Sequence, residues 1–211
     1  AIHFLEKEGK TKNVYLVGDP MYDAFEYYRE IVGDKQQEEL IGLDGEKILI
    51  PDDFYYMTCH RQENTGSDEV LFEILSAVDS LDAPCIYPVH PRNQERAMRL
   101  KEHRIFNNVL LCKPVGYLMS VFLTLHAEKI VTDSGGLQRE AFFAEKQCVT
   151  VFDYISWPET MVGNRNQLAK ADKDDILNKL NAKQHVSRDD KPFGDGHASE
   201  HIVKLISEFK A

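Results

Sequence analysis

The chain has 211 residues, of which 43% are hydrophobic and 10% aromatic, so it can bury a large core and is not an intrinsically disordered sequence. Asp and Glu outnumber Lys and Arg by 35 to 25, and the resulting formal charge of −10 argues against a basic nucleic-acid-binding protein. No apolar run approaches the ~18–20 residues of a membrane span, so we expect a soluble, cytoplasmic protein with no membrane partner.

Short apolar runs alternate with amphipathic segments along the chain, as in β-α units that build a parallel sheet. The predicted strands, in chain order, are 13–18, 47–50, 54–59, 85–89, 109–112, 129–132 and 147–152. The predicted helices are 20–32, 67–80 with Ser67 as N-cap, 93–103, 117–125, 137–143, 173–182 and 198–209, with a turn at 189–196. The pattern predicts a doubly wound, Rossmann-like α/β sheet of five or six strands, which binds ligands at the carboxyl ends of its strands.

Cysteines occur one at a time within these apolar segments, at positions 59, 85, 112 and 148. None forms a CxxC pair, and none lies at metal-ligand spacing from a histidine. We therefore expect reduced thiols in the core and no metal site built from them. The chain as a whole is expected to need neither a metal nor an organic cofactor.

The loop after the strand at 54–59 reads TCHRQENTG and carries His60, Arg61, Glu63 and Asn64 in succession. An imidazole beside a guanidinium can neutralise a phosphate, and a histidine can also move a proton near neutral pH. The alternative is a solvated loop with surface ion pairs that contribute little.

A second polar loop, PVHPR at 88–92, places His90 and Arg92 after another strand. Residues 85–104 contain five Lys or Arg against two Glu, a positive island in an acidic chain that suits an anionic ligand. The helix arginines at 92, 96 and 99 follow i, i+4, i+7 spacing, however, which is equally typical of a solvated helix face.

The third loop, TDSGGLQRE at 132–140, combines Ser134 with Gly135 and Gly136 at the start of a helix. Adjacent glycines allow the backbone to approach a ligand closely, and the free N–H groups of a helix N-terminus bind anions, so the loop is a candidate phosphate cradle. Glu140 lies one turn further on, where a carboxylate can accept from two ribose hydroxyls. The loop matches neither GxGxxG nor the P-loop pattern, and it can also be a tight turn in which Asp133 or Ser134 caps the helix.

The fourth loop, at 152–166, contains the single tryptophan of the chain, Trp157. This side chain either covers a ligand or fills the edge of the core. We expect Arg139, in the helix after the third loop, to face solvent.

Seven segments, in order along nearly the whole chain, resemble the non-hydrolysing UDP-N-acetylglucosamine 2-epimerases. They read VGDPMYDAF (17–25), TCHRQENTG (58–66), YPVHPR (87–92), KPVGYL (113–118), TDSGGLQREAF (132–142), WPETMVGNRNQL (157–168) and FGDGHASEHI (193–202). The GDxMYD, QREAFF and WPE forms are similar to the branch that acts on UDP-2,3-diacetamido sugars and uronates.

The resemblance implies a GT-B architecture, in which two Rossmann-like domains hold the substrate in the cleft between them. The chain is similar to the second, C-terminal half, with residues 1–13 as the end of an inter-domain segment and 14–211 as the UDP-binding domain. The family inverts C2 of a UDP-sugar by eliminating UDP to a glucal and adding it back, and it commonly forms homodimers. Its acid and base on C2 belong to the N-terminal half, so we expect this piece to bind UDP without catalysing.

By motif, the resemblance assigns roles to residues of the first three loops. His60 takes a catalytic or phosphate-contacting role, while Arg61, Glu63, His90, Arg92, Ser134, Gly135, Gly136 and Glu140 bind UDP or the sugar. Glu140 holds the ribose, the 134–136 segment holds the phosphates, and His90 with Arg92 lies near the sugar and a regulatory second UDP-sugar site. At 152–159 the chain reads FDYISWPE where the family has Arg-Asp-x-Thr-Glu, so contacts made by those family residues do not carry over.

Three other functions fit the same loops. A hydrolysing 2-epimerase shares them and releases UDP with the free sugar, and a GT-B glycosyltransferase needs in addition an acceptor site. A non-catalytic UDP-sugar-binding module is the alternative outside enzymes.

Overall fold

The computed structural model describes residues 2–33, 39–103, 106–184 and 191–209. The chain forms two compact units, one of residues 28–187 and one of residues 1–27 together with 188–211. The strands are β1 (Glu39–Ile41), β2 (Lys47–Leu49), β3 (Tyr55–Thr58), β4 (Cys85–Pro88), β5 (Val109–Cys112), β6 (Lys129–Thr132), β7 (Gln147–Val151) and β8 (Asn166–Ala169). The helices are α1 (Ile2–Lys7), α2 (Pro20–Val32), α3 (Gln62–Thr65), α4 (Asp68–Asp79), α5 (Gln94–His103), α6 (Tyr117–His126), α7 (Gly135–Phe143), α8 (Lys173–Leu180) and α9 (Ala198–Glu208).

A six-stranded parallel sheet forms the centre of the unit at 28–187, in the order β5-β4-β3-β6-β7-β8. The chain builds the sheet outward from β3 to one edge and then returns to β6 and proceeds to the other edge, which is the doubly wound Rossmann order. The predicted fold class is confirmed. Because the winding direction reverses between β3 and β6, their carboxyl ends flank the crevice where such folds bind ligands.

The sheet and its covering helices make the core, and Tyr56, Met57, Ile86 and Ile130 of the central strands are at most 2% exposed, as expected for strands covered on both faces. Leu71, Ile74 and Leu75 of α4 are almost completely buried. The predicted N-cap is confirmed, since the Ser67 hydroxyl accepts from the Val70 N–H at the start of α4.

A short antiparallel hairpin of β1 and β2 lies beside β5 at one edge of the sheet. Lys113 N–H donates to Ile41 C=O, and Leu43 N–H donates to Leu111 C=O, so backbone groups of β5 that would face solvent are paired. The hairpin therefore protects this sheet edge. The predicted strand at 47–50 is confirmed as β2.

Strand β8 at the opposite edge is absent from the sequence prediction because its first two residues are polar. Asn166 is nevertheless buried, and its side chain accepts from Thr150 Oγ1 at 2.8 Å and donates to Thr160 Oγ1 at 3.2 Å. A buried amide whose hydrogen bonds are satisfied is compatible with a strand.

The predicted strand at 13–18 is wrong: this segment pairs with no strand among the described residues, and Leu16 is 78% exposed. An apolar run becomes a strand only when a neighbour takes up its backbone hydrogen bonds. Within the unit that contains it, Asp19 N–H donates to Phe193 C=O, and Gly18 lies so close that a Cβ there would be 3.0 Å from the same oxygen. The predicted turn at 189–196 begins outside the described residues, which resume at 191.

Candidate functional site

The buried carboxylate of Asp133, just after β6, anchors the polar loop that follows β3. It accepts from the backbone N–H of His60 at 2.9 Å and of Arg61 at 2.8 Å, and from the Asn64 amide at 3.2 Å. Asn64 also donates to Val151 C=O at 3.0 Å, which ties the loop to the end of β7. The loops after β3, β6 and β7 are therefore joined at one edge of the sheet.

His60 projects from this loop with its side chain 42% exposed, and its Nδ1 lies 3.3 Å from Asp133 Oδ1. The ring centroid of His90, after β4, is 6.4 Å from that of His60. Arg92 donates from its guanidinium to His60 C=O and from its backbone N–H to His90 Nδ1. The structure thus brings together the two histidines and the arginine predicted from separate loops.

Arg61 is held by two aromatic residues that follow β7. Its guanidinium carbon lies 3.9 Å from the centroid of the Phe152 ring, and its Nη1 donates to Tyr154 Oη at 3.2 Å. The rings of Phe152 and Tyr154 are stacked at 14° with centroids 5.4 Å apart. These residues and the exposed Glu63 line a cleft of about 160 Å³. Phe152 thus supports a cation that comes from another loop.

The first turn of α7 presents the predicted phosphate cradle. The Ser134 hydroxyl accepts from the Leu137 N–H, so Ser134, and not Asp133, caps the helix. A Cβ at Gly135 would lie 3.0 Å from Trp157 Nε1, so a larger residue there would require the Trp157 ring to shift by a few tenths of an ångström. The N–H groups of Gly135 and Gly136 belong to the first turn, which has no intrahelical acceptors for them.

Trp157 packs against Gly135 at the start of α7. The Arg139 guanidinium also stacks on the Trp157 ring, with its carbon 4.0 Å from the ring centroid. Arg139 is half-buried, so the expectation that it faces solvent is wrong. A delocalised cation gains from stacking on an indole face.

Glu140 is only 6% exposed, and Tyr117 at the start of α6 donates to its Oε1 at 2.9 Å. Burial raises the pKa of Glu140, and the Tyr117 hydrogen bond opposes that shift. Nearby, Tyr56 and Ser120 share a hydrogen bond of 3.0 Å. Both line a cleft of about 190 Å³ that also includes His60 and His90.

The helix arginines of the basic island do not join this site. Arg96 and Arg99 both pair with Asp68, at 2.7 and 2.9 Å, and these hydrogen bonds hold the pKa of Asp68 below its usual value. Both arginines are half-buried against the start of α4, so they form an ion-paired contact between helices and not a solvated face, whereas Arg92 lies beside His60. Arg104 lies outside the described residues.

All four cysteines are buried free thiols, as predicted. Burial raises the pKa of Cys148 to about 12, which leaves no thiolate for nucleophilic chemistry near neutral pH. Within the described ranges, no His, Cys, Asp and Glu side chains cluster as metal ligands, and no helix is long and apolar enough to cross a membrane.

Sequence reasoning missed three features of the site. Asp133 was considered only as a helix cap, and neither Tyr117 nor the Phe152–Tyr154 pair was placed beside a charged residue. The available signal for Asp133 was an acid that directly follows an apolar strand, where a buried carboxylate requires donors from elsewhere. Those donors come from residues 60–64, about seventy positions away along the chain.

Comparison with known proteins gives the family. The sequence pattern of the family described as UDP-N-acetylglucosamine 2-epimerase matches residues 1–207. A Methanococcus maripaludis protein named UDP-N-acetylglucosamine 2-epimerase homolog is 34% identical over 96% of the chain. The UDP-2,3-diacetamido-2,3-dideoxy-D-glucuronate 2-epimerase of Pseudomonas aeruginosa is 32% identical over 99% of it. The chain spans 57% of the length of each of these relatives.

The fold agrees with this comparison. The structure of Methanocaldococcus jannaschii UDP-GlcNAc 2-epimerase in complex with UDP-GlcNAc and UDP matches with a TM-score of 0.79 and 27% identity, over 98% of this chain and 58% of the other. A Staphylococcus aureus MnaA–UDP structure matches with a TM-score of 0.77 and 26% identity, over 98% of this chain and 56% of the other. The chain belongs to the UDP-N-acetylglucosamine 2-epimerase family.

Proposed function

We propose that the chain is the C-terminal, UDP-binding half of a two-domain GT-B 2-epimerase that interconverts UDP-N-acetylglucosamine, or a related UDP-2-acetamido sugar, with its manno epimer. The observation that carries the proposal is the meeting of cationic side chains and a helix N-terminus at the β3/β6 switch point. His60 and Arg61 lie there on one loop, and Ser134, Gly135 and Gly136 on the other, joined through Asp133.

The diphosphate would occupy this meeting point. The first-turn N–H groups of α7 and the Ser134 hydroxyl would supply hydrogen-bond donors. The same helix N-terminus would supply the positive end of the helix dipole. Arg61 supplies a fixed positive charge, and no carboxylate among the described residues is paired with its guanidinium. His90 and Arg92 extend the same positive edge toward the sugar and toward a regulatory second UDP-sugar site.

The ribose would lie against Glu140, one turn into α7. Among the described residues, the Glu140 carboxylate has a hydrogen-bond partner on Oε1 alone, so it retains acceptor capacity for ribose hydroxyls. Glu63 would contact the sugar side of the substrate, since it lines the cleft beside Arg61.

In this assignment the chain supplies leaving-group stabilisation and not the chemistry at C2. Charge builds on the diphosphate as the bond to C1 breaks, and His60 with the α7 N-terminus would stabilise that charge. The groups that remove and return the C2 proton would lie in an N-terminal half that is not part of this chain. The isolated chain would bind UDP and be inactive as an epimerase.

The protein would act in the cytoplasm as a homodimer. Identity to the relatives does not select the sugar, because a GlcNAc-type homolog and a diacetamido-uronate epimerase match at 34% and 32%. The diacetamido-uronate branch, suggested by the GDxMYD and WPE segments, is the first substrate class to test.

Calorimetric titration of the chain with UDP, UMP, uridine and UDP-N-acetylglucosamine tests the proposal. Binding of UDP at least tenfold tighter than uridine is expected, since charge-assisted hydrogen bonds to the diphosphate contribute about 1.5–3 kcal/mol each. Equal affinity for UDP and uridine would refute the phosphate assignment. Product analysis with the full-length protein then separates epimerisation from hydrolysis, glycosyl transfer and binding alone.

A further inference from the structure

Asp133 is the one residue of the site that is fully buried and charged, and the proposed function assigns it no role. Its carboxylate has no solvent exposure, so its charge must be balanced by donors from the protein. Its hydrogen-bond donors include two backbone N–H groups, the Asn64 amide and the Cys59 thiol, and His60 Nδ1 lies 3.3 Å from its Oδ1. In the described part of the chain, His60 is the titratable base paired with it.

The contact between Asp133 and His60 determines which imidazole nitrogen carries a proton. A carboxylate only accepts hydrogen bonds, and it would repel the lone pair of a bare Nδ1 at 3.3 Å, so the contact with Asp133 Oδ1 favours a proton on His60 Nδ1 when the ring is neutral. The second nitrogen, Nε2, has no recorded partner in the described residues, and the side chain is 42% exposed. The ring therefore turns Nε2 outward, into the cleft that His60 lines with Tyr56 and His90.

His90 differs from His60 in this respect. Its Nδ1 accepts from the Arg92 backbone N–H at 3.3 Å, so in a neutral His90 ring the proton is on Nε2. The two imidazoles are neighbours, but their different partners favour opposite tautomers. Only His60 has a carboxylate that would balance the positive charge of a doubly protonated ring.

We propose that Asp133 is the positioning residue for His60: it keeps Nδ1 protonated and turned inward, so that Nε2 is the atom that faces the diphosphate and, when the ring is doubly protonated, donates a hydrogen bond to it. This inference rests on the proposed UDP site. Asp133 acts through His60 and touches neither substrate nor product. The same carboxylate also holds the loop backbone at residues 60 and 61, and the test must separate these two roles.

The tautomer is measured on the unmodified chain by ¹⁵N–¹H correlation of the histidine side chains at about pH 8, where an ordinary imidazole, of pKa about 6.5, is neutral. The His60→Ala variant identifies the His60 signals. We expect a protonated Nδ1 and a bare Nε2 for His60, and the reverse pattern for His90. A His60 ring protonated at Nε2 would overturn the proposal, whether or not UDP binds.

A double-mutant cycle then separates positioning from loop anchoring. UDP affinity is measured for Asp133→Asn, His60→Ala and the double variant, with circular dichroism to confirm folding. We expect Asp133→Asn to weaken UDP binding about tenfold in the native background and less than about twofold when His60 is absent. An equal loss in both backgrounds would mean that Asp133 only anchors the backbone, and would refute the proposal.

Asp82→Asn is the matched control, because Asp82 also accepts a side-chain hydrogen bond, from Tyr55 Oη at 2.7 Å, but does not line either cleft. It should leave UDP affinity and the His60 signals unchanged. If the native chain binds no UDP while the His60 tautomer is as expected, the UDP site fails and the Asp133–His60 geometry stands. If UDP binds and His60 is instead protonated at Nε2, the UDP site stands and the proposed role of Asp133 fails.

Discussion

Glu140→Gln is expected to make the protein more stable at neutral pH while weakening its affinity for UDP. Burial raises the pKa of Glu140 in the folded state above its unfolded value, so the ionised carboxylate is a net cost to folding. The stabilising contribution of this group is complete below the unfolded pKa and is lost as pH rises through the folded pKa. Each unit of that upward shift costs about 1.4 kcal/mol at neutral pH.

Glutamine has nearly the same shape and keeps an oxygen that can accept from Tyr117, at the position where Glu140 Oε1 now lies 2.9 Å from the hydroxyl. The variant therefore removes the cost of the buried charge without opening a cavity. In thermal unfolding at about pH 7 the midpoint should rise by roughly 2–4 °C for each kcal/mol recovered. At about pH 4, below the unfolded pKa of a glutamate, the difference between variant and native protein should disappear.

UDP affinity should change in the opposite direction. Ribose hydroxyls that donate to an ionised carboxylate lose charge-assisted hydrogen bonds when it becomes an amide, and a loss of about 1.5 kcal/mol corresponds to roughly tenfold weaker binding. Glu145→Gln, at an exposed position just beyond α7, is the control and should change neither quantity. A Glu140→Gln variant that is less stable at pH 7 would refute the burial argument, and unchanged UDP affinity would refute the ribose assignment.

Three further predictions follow from other contacts. Tyr154→Phe removes the hydroxyl that accepts from Arg61, so calorimetry should show UDP bound a few-fold more weakly and uridine unchanged; a loss shared by both ligands contradicts a role at the phosphates. Asp68→Asn breaks the pairs with Arg96 and Arg99 and should leave UDP affinity unchanged, whereas a loss would return the helix arginines to the binding site. Leu75→Ala in the core should lower the unfolding free energy by about 2–5 kcal/mol in denaturant titration, and a loss below 1 kcal/mol would contradict its tight packing.

Much of the architecture was predictable because it depends on local chemistry. Apolar runs separated by amphipathic segments predicted β3 to β7 and the helices α4 to α7, and Ser67 followed by two acids predicted the start of α4, whereas α3 lies in a segment predicted as a loop. These signals are carried by neighbouring residues, so they can be recognised along the chain. The run at 13–18 and the polar strand β8 were mispredicted because strand formation depends on a pairing partner and on side-chain hydrogen bonds made elsewhere.

The candidate site divides in the same way. The sequence by itself determined which residue types follow the strand ends, and so it was sufficient to select His60, Arg61, Ser134 and Glu140. Only the tertiary structure decided that Asp133 holds the His60 loop, that Phe152 and Tyr154 support Arg61, and that Arg96 and Arg99 pair with Asp68 instead. Each of these contacts joins residues about thirty to ninety positions apart, and the partner of a charge at that separation depends on how the sheet brings the strand ends together.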